Sequence, residues 1–107
     1  MTSEESTVAD VFMPFFDGDR LNDYLRIASQ LRAAGIRVEL YPEPKKLDKQ
    51  LKYADKRGFQ VAVIMGGSEF DAGTCQIKNL TARSSSEIDI SGGVDLAVAE
   101  IQKILGG

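Results

Sequence analysis

The sequence predicts an α/β domain in which a five-stranded mixed β-sheet is covered by three α-helices. Two nearly continuous apolar runs, at residues 8–15 and 59–65, are typical of strands that are buried on both faces. Apolar residues at helical spacing lie between these runs, and strands that alternate with helices imply parallel pairing through right-handed crossovers. A hairpin predicted in the second half of the chain makes the sheet mixed.

The first half of the chain is predicted to alternate strands and helices. The first helix carries an apolar stripe (Leu21, Tyr24, Leu25, Ala28 and Leu31) and is followed by Gly35, a residue type that commonly ends helices. The next strand alternates apolar and polar residues, and a stiff Pro-Glu-Pro turn separates it from the second helix. The predicted strands are residues 8–15, 36–41 and 59–65, and the predicted helices are residues 20–34 and 45–58.

The second half is predicted to add two strands and a closing helix. Residues 66–73, GGSEFDAG, are interpreted as a loop or a short helical turn. Strands are predicted at residues 74–80 and 87–90, with a turn at residues 82–86 and the last helix within residues 91–107. Residues 1–7 are interpreted as a disordered leader, so that one domain spans residues 8–107.

The composition excludes several kinds of active site. The chain contains no histidine and a single cysteine, Cys75. Ser–His and Cys–His nucleophile pairs, histidine-based metal sites and an intramolecular disulfide are therefore impossible. A lone thiol favours a reducing compartment, and no apolar run approaches the roughly 20 residues that cross a bilayer. We expect a cytoplasmic protein without membrane contact, with no catalytic residues, no metal and no cofactor.

Basic side chains are concentrated in the second predicted helix of an otherwise acidic protein. The formal net charge is −3, yet residues 45–58, KKLDKQLKYADKRG, contain six of the 13 Lys and Arg residues and only two carboxylates. At about 100° per residue, four lysines form one ridge and three apolar residues lie opposite. The ridge comprises Lys45, Lys49, Lys52 and Lys56, and the predicted buried side comprises Leu47, Leu51 and Ala54.

Lysines solvate many surface helices, so the ridge has an ordinary interpretation as well as a functional one. An exposed helix usually mixes charge signs at i,i+4, whereas these neighbouring lysines repel one another. The rest of the chain is negatively charged, which makes the ridge a local field. We therefore interpret it as a surface that contacts a few phosphates.

Three segments together resemble the C-terminal anticodon-binding domain of class IIa aminoacyl-tRNA synthetases, and most of all that of histidyl-tRNA synthetase. The segments are LRAAGIRVELY, KKLDKQLKYADKRG and VAVIMGGSEFDAGTCQIKNL, and the likeness extends over residues 8–105. The resemblance implies the same five-stranded sheet with three helices. It also implies binding of a tRNA anticodon stem-loop, that of tRNA-His, while a separate catalytic domain attaches histidine with ATP.

The class II catalytic motifs are not found in these 107 residues. We therefore expect no enzymatic activity from this chain alone, which looks like an excised domain or one encoded alone. The partners that the resemblance implies are tRNA, the catalytic domain of a parent histidine–tRNA ligase, and a second copy in a homodimer formed through the parent protein.

The resemblance also implies which residues contact RNA. Relatives use an acidic residue before the fourth strand, a basic residue within it and a segment before the second helix. Carboxylates accept hydrogen bonds from base amines and lysines donate to base acceptors, which unpaired bases expose. Base contacts are thus expected from Glu69, Lys78, Glu43 and Pro44, and RNA backbone contacts from Lys45, Lys46, Lys49, Lys52 and Lys56.

Other interpretations of single residues stay open at this point. Glu69 could cap the adjacent glycine turn, and Lys78 could be an ordinary lysine at a sheet edge. Cys75 is expected to be a small strand residue rather than a reactive thiol. Tyr53 is expected to pack its ring at the margin between helix and sheet rather than to stack on a base. Asp71 departs from the family pattern as a second acid near Glu69, and it could repel RNA phosphates.

Alternative functions come from other classes of protein. A receiver-like signalling domain would carry a phospho-acceptor aspartate at the end of the third strand, but that strand ends VIMGG. The main alternative is a stand-alone synthetase-like domain that acts as a protein-interaction or regulatory module without RNA binding. The loose TARSSS turn at residues 81–86 also departs from the compact turn that is usual in the family.

Overall fold

The computed structural model describes residues 9–106, and its sheet has the predicted five strands. The strands lie in the order β2-β1-β3-β4-β5; β1 is parallel to β2 and β3, whereas β4 is antiparallel to β3 and β5. The predicted mixed sheet is therefore confirmed, and the predicted leader at residues 1–7 lies outside the described residues. The strands are β1 (Val11–Met13), β2 (Val38–Leu40), β3 (Val61–Ile64), β4 (Thr74–Asn79) and β5 (Ser84–Asp89).

Helices cover both faces of this sheet. They are α1 (Leu21–Ala33), α2 (Leu47–Arg57), α3 (Gly67–Ala72) and α4 (Asp95–Gly106), and a 3-10 turn at Gly18–Arg20 leads into α1. The three predicted helices are α1, α2 and α4, while α3 is the segment interpreted as a loop or short helical turn. Within residues 9–106, no helix is long and apolar enough to cross a membrane.

The main core lies between α1, α4 and one face of the sheet. Tyr24, Ile27, Ala28 and Leu31 of α1 are buried there, together with alternate residues of the strands and Ile101 of α4. The predicted stripe on α1 was wrong in part, because Leu21 and Leu25 are 42% and 46% exposed. These two leucines lie on the flank of the helix that turns away from the sheet.

A smaller cluster holds α2 on the opposite face of the sheet. Phe12 of β1, Ala54 of α2 and Phe59 form its buried centre, and Tyr41 and Tyr53 pack against it. Because side chains alternate along a strand, Phe12 points towards α2 while its neighbours Val11 and Met13 point towards α1 and α4.

Strands β1, β2 and β3 are shorter than predicted, and two further assignments differ from the structure. Lys45 lies before α2 rather than in it, because Lys46, with an extended ψ of 138°, is the N-cap and the helix begins at Leu47. The serines that were predicted to form a turn belong to β5, where pairing with β4 fixes them as strand. The turn itself is tighter than predicted, since the Asn79 side-chain oxygen accepts from the Ala82 N–H at 3.0 Å.

Candidate nucleic-acid interface

The carboxyl ends of the three parallel strands bring three loops to one edge of the sheet. Strand β1 lies between β2 and β3, so the connection from β1 to β2 passes over one face of the sheet through α1, and the connection from β2 to β3 passes back over the other face through α2. Crevices at such a switch point are preferred ligand sites in α/β sheets. The three loops are tied together: the Lys45 N–H donates to the Phe15 carbonyl at 3.2 Å, and the Gly67 N–H donates to Asp17 Oδ2 at 3.0 Å.

Glu69 lies in the loop region after β3, in the first turn of α3. Its Oε1 accepts from the Gly66 N–H at 2.7 Å, which forms a capping interaction at the start of the helix. The interpretation of Glu69 as a cap is therefore correct for one of its two oxygens. The side chain is half-buried, and within residues 9–106 no side-chain hydrogen bond uses its Oε2.

Phe16 connects Glu69 to the segment before α2. A Cβ atom built on Gly66 would lie 2.9 Å from Phe16 Cε2, so a larger residue there would have to displace the ring. The same ring lines a groove of about 680 Å³ whose other lining residues are Pro44, Lys45, Lys46, Leu47 and Asp48. Phe16 therefore lies between the Gly66 turn, which Glu69 caps, and the segment Pro44, Lys45 and Lys46.

The negative charge of Asp71 is offset locally. Arg20 Nη1 lies 3.0 Å from Asp71 Oδ1, and Arg20 Nε lies 2.6 Å from Asp23 Oδ2. Arg20 also lies over the Phe70 ring, 5.3 Å from its centroid. Hydrogen bonds to Asp23 and Asp71 raise the pKa of Arg20. The predicted repulsion between Asp71 and phosphates is thus reduced by a permanent cation beside it.

Gln50 is a component of this region that the sequence analysis missed. It is the buried polar side chain of α2, with 1% of its surface exposed. Its Oε1 accepts from the Phe15 N–H at 2.7 Å, and its Nε2 donates to the Phe15 and Lys45 carbonyls at 2.7 and 2.9 Å. Gln50 therefore fixes the loop after β1 and the segment before α2 in one arrangement.

A signal for Gln50 was present in the sequence. On a helix, Gln50 falls four residues before Ala54 and next to Leu47, on the side predicted to be buried. A polar residue there must satisfy its hydrogen bonds within the protein, and every buried side-chain N or O atom among residues 9–106 has a partner.

The lysine ridge exists on α2 in a shortened form. Lys49, Lys52 and Lys56 are exposed, and none of them makes a salt bridge with a residue in the described range. Lys45 precedes the helix and lies 3.6 Å from Glu43 Oε1. On the opposite side Ala54 is buried as predicted, whereas Leu47 and Leu51 are only half-buried.

Lys78 lies apart from Glu69. It is opposite Ala62 in the β3–β4 pairing, four residues before Gly66, which places it roughly 13 Å along the sheet from the glycine turn. A second groove, of about 230 Å³, is lined instead by Leu51, Lys52, Asp55, Lys78, Leu80 and Arg83. The structure thus brings Lys78 to Lys52 of the ridge rather than to Glu69.

Cys75 and Tyr53 have the structural roles that were expected of them. Cys75 is buried on the core side of β4, and burial raises its pKa to about 12, which disfavours the thiolate that reactive chemistry needs. The Tyr53 ring packs against Phe12 and Tyr41, and its hydroxyl donates to Glu39 Oε2 at 2.7 Å. That hydrogen bond raises the pKa of Tyr53.

Comparison with known proteins identifies the family. The family described as "Anticodon binding domain" matches residues 11–100. The chain belongs to the anticodon-binding domain family. It is 58% identical to a histidine–tRNA ligase of Rhodopirellula baltica over 81 residues, covering 76% of this chain and 18% of the relative. It is 40% identical to that of Paracoccus denitrificans over 110 residues, covering 90% of this chain and 22% of the relative.

Solved structures of synthetases share this fold. Histidyl-tRNA synthetase from Nostoc sp. PCC 7120 superposes with a TM-score of 0.81 at 32% identity, over 92% of this chain and 23% of that one. The RNA binding domain of threonyl-tRNA synthetase from Cryptosporidium parvum Iowa II superposes with a TM-score of 0.77 at 8% identity, over 90% of this chain and 23% of that one, which shows the fold alone. The predicted likeness to histidyl-tRNA synthetase is confirmed, and this anticodon-binding domain spans about a fifth of the length of those curated relatives.

Proposed function

We propose that this domain binds the anticodon stem-loop of tRNA-His as part of a histidine–tRNA ligase. The observation that carries the proposal is the arrangement around Phe16, whose ring lies against the Gly66 turn that Glu69 caps and also lines the groove of Pro44, Lys45 and Lys46. Glu69 and the segment at residues 43–46 are the positions that correspond to base-contacting residues in relatives. Family membership over residues 11–100 supports the assignment.

The chemistry of this edge suits unpaired bases. Glu69 Oε2 is free to accept from a base amine or ring N–H while Oε1 keeps the cap. Glu43 and Pro44 are exposed, Pro44 lines the groove with Phe16, and the two residues supply a second acceptor and an apolar contact. Lys45, Lys46 and the ridge lysines Lys49, Lys52 and Lys56 contact the RNA backbone, which positions the loop without reading it.

The attachment of histidine belongs to another part of the parent ligase. In this proposal a separate catalytic domain carries out the ATP-dependent reaction in the cytoplasm, and the chain itself neither aminoacylates tRNA nor hydrolyses ATP. The sequence GGSEFDAG is not a P-loop, since no Gly-Lys-Ser/Thr follows it. ATP hydrolysis that copurifies with the pure 107-residue chain through several columns would contradict this part.

The test is a binding comparison between two RNAs. The affinity of the chain is measured for the anticodon stem-loop of tRNA-His and for the same stem with a scrambled anticodon, across a salt series. We expect tighter binding to the cognate loop at every salt concentration, and a log-affinity that falls linearly with log salt for both. Equal affinity for the two loops would overturn anticodon reading. Absence of RNA binding would favour the protein-interaction module instead.

A further inference from the structure

We infer that Lys52, Lys78 and Arg83 form a binding site for one phosphate of single-stranded RNA, in the groove between α2 and the β4–β5 turn. The inference rests on the proposed function and deepens it. It adds Arg83 to the RNA-binding residues, and it gives Lys78 a phosphate rather than a base as its ligand.

The groove collects cations from three separate parts of the chain. Lys52 comes from α2, Lys78 from β4 and Arg83 from the turn after β4, and Asp55 is the one carboxylate that lines the groove with them. None of the three cations makes a salt bridge with another residue of the 9–106 range. The groove has a volume of about 230 Å³ and is lined by three positive side chains and one negative one. A backbone phosphate of RNA can neutralise part of this excess positive charge.

The backbone at Arg83 supports a role for its side chain. Arg83 has φ 58°, and it is the single non-glycine residue with positive φ among the described residues. Glycine or asparagine adopts this left-handed region with less steric cost than arginine does. A residue held in an unfavourable conformation beside a groove is a candidate for function, and a guanidinium can bind a phosphate through two parallel hydrogen bonds.

The charge pattern along the hairpin separates this site from the base-reading edge. On the face towards α2, the β4–β5 pairs are Thr74 with Asp89, Gln76 with Glu87 and Lys78 with Ser85. The two pairs that contain a carboxylate lie nearer the carboxyl ends of the parallel strands, and the pair that contains Lys78 lies nearer Arg83. Phosphates are therefore repelled from the acidic end and attracted to the basic end of this open surface.

The experiment combines protein variants with chemically altered RNA. Cognate stem-loops are made with a single uncharged methylphosphonate at each loop position in turn, and their affinities for wild type, Lys78→Ala and Arg83→Gly are measured in a salt series. We expect both variants to weaken the cognate and scrambled loops by the same factor and to lower the salt slope by about 0.7 unit. One methylphosphonate position should replace the phosphate that this site binds. Both variants should bind that altered RNA as tightly as wild type binds it.

Stability separates a ligand role from a structural one. Arg83→Gly should melt no lower than wild type, because glycine fits the left-handed backbone, although RNA affinity falls. Arg83→Lys should keep most of the affinity because it keeps the charge. Lys103→Ala is the matched control, since Lys103 is an exposed lysine on α4, which packs on the other face of the sheet.

Each contrary outcome has a definite meaning. A penalty for Lys78→Ala on the cognate loop alone makes Lys78 a base reader and overturns the inference. Unchanged affinities in both variants, with wild type still preferring the cognate loop, overturn the phosphate site but leave the proposed function standing. Failure of wild type to bind either RNA, with an Arg83-dependent affinity for an acidic peptide, overturns both.

Discussion

The two parts of the proposed RNA surface are held in different ways. At the carboxyl edge, loops are cross-linked by buried or half-buried hydrogen bonds, from Gly66 to Glu69, from Gly67 to Asp17 and through Gln50. In the groove that contains Lys52, Lys78 and Arg83, the side chains of Lys52 and Arg83 are exposed and make no salt bridge within residues 9–106. The carboxyl edge is thus held by hydrogen bonds between its loops, whereas the groove presents positive side chains that lack such ties.

In the proposed function, this difference lets one small domain attract RNA through the charged groove and discriminate among RNA sequences at the carboxyl edge. Reading a base requires hydrogen-bonding groups whose positions are fixed before binding, since ordering them afterwards costs conformational entropy. Attraction of phosphates needs only charge, and long side chains can adjust to any sequence. Specificity and affinity should therefore be separable by mutation. Of the four predictions below, those at Glu69 and along the ridge test that separation, and those at Gln50 and Asp23 test how the carboxyl edge is held.

The largest effect is expected at Gln50. Replacing Gln50 with Leu leaves the Phe15 N–H and the Phe15 and Lys45 carbonyls without their partner. We expect a loss of free energy of unfolding on the order of 3 kcal/mol, since each unsatisfied buried group costs about 1–3 kcal/mol and relaxation offsets part of the sum. Urea denaturation measures it.

The neighbouring exposed residue provides the control for Gln50. Lys49→Ala, on the same helix, should change the free energy of unfolding by less than about 0.5 kcal/mol. If Gln50→Leu unfolds at the same urea concentration as wild type, the hydrogen bonds of Gln50 do not hold the loop after β1 and the segment before α2 together.

The next effect is expected at Glu69, where two substitutions separate capping from base reading. Glu69→Gln keeps an oxygen that can accept from the Gly66 N–H, whereas Glu69→Ala loses it and should cost about 1 kcal/mol of stability. Both should lose about 1–3 kcal/mol of preference for the cognate loop. If Glu69→Gln weakens cognate and scrambled loops equally, Glu69 is a cap and not a base reader.

A smaller and uniform effect is expected along the ridge. Lys49→Ala should weaken the cognate and scrambled loops alike and lower the magnitude of the log-affinity versus log-salt slope by up to about one unit. Combined with Glu69→Gln, the two effects should add, since the residues lie on different elements and share no partner. If Lys49→Ala lost affinity for the cognate loop alone, the ridge would not be limited to contacts with the RNA backbone.

The smallest effect concerns pH and the ion pairs beside the edge. Hydrogen bonds from Arg20 and then from Arg26 lower the pKa of Asp23 below its usual value. A depressed folded-state pKa contributes stability that is present above the unfolded value of about 3.9 and is lost as pH falls through the folded value. The stability difference between wild type and Asp23→Asn should therefore shrink below about pH 4. A difference that stays constant down to pH 2 would show that the pairs contribute nothing.

The sheet and its main helices could be predicted because their signals are strong and repeated. Continuous apolar runs identified β1 and β3, and the apolar spacing with a following glycine identified α1 and α2. Helix α3 has six residues between glycines, which is too short for a periodic signal. The serines of β5 have low strand propensity, and their pairing with β4 decides their conformation.

The site was only partly predictable, because its contacts join distant parts of the chain. The resemblance supplied Glu69 and the segment at residues 43–46, but a linear pattern could not show that Lys78 lies near Lys52 instead of Glu69. Gln50 was missed because a single polar residue on an amphipathic helix is usually exposed. Its three bonds reach back 35 residues to Phe15 and five to Lys45, which no local pattern encodes.

The most direct test of the separation is an NMR titration of the labelled 107-residue chain with cognate and scrambled stem-loops. The account predicts that amides of Gly66, Gly67 and Glu69 shift with the cognate loop only. Amides of Lys52, Lys78 and Arg83 should shift with both loops, and those shifts should fade as salt is raised. Identical responses of the two regions to both RNAs, or shifts confined to α1 and α4, would contradict it.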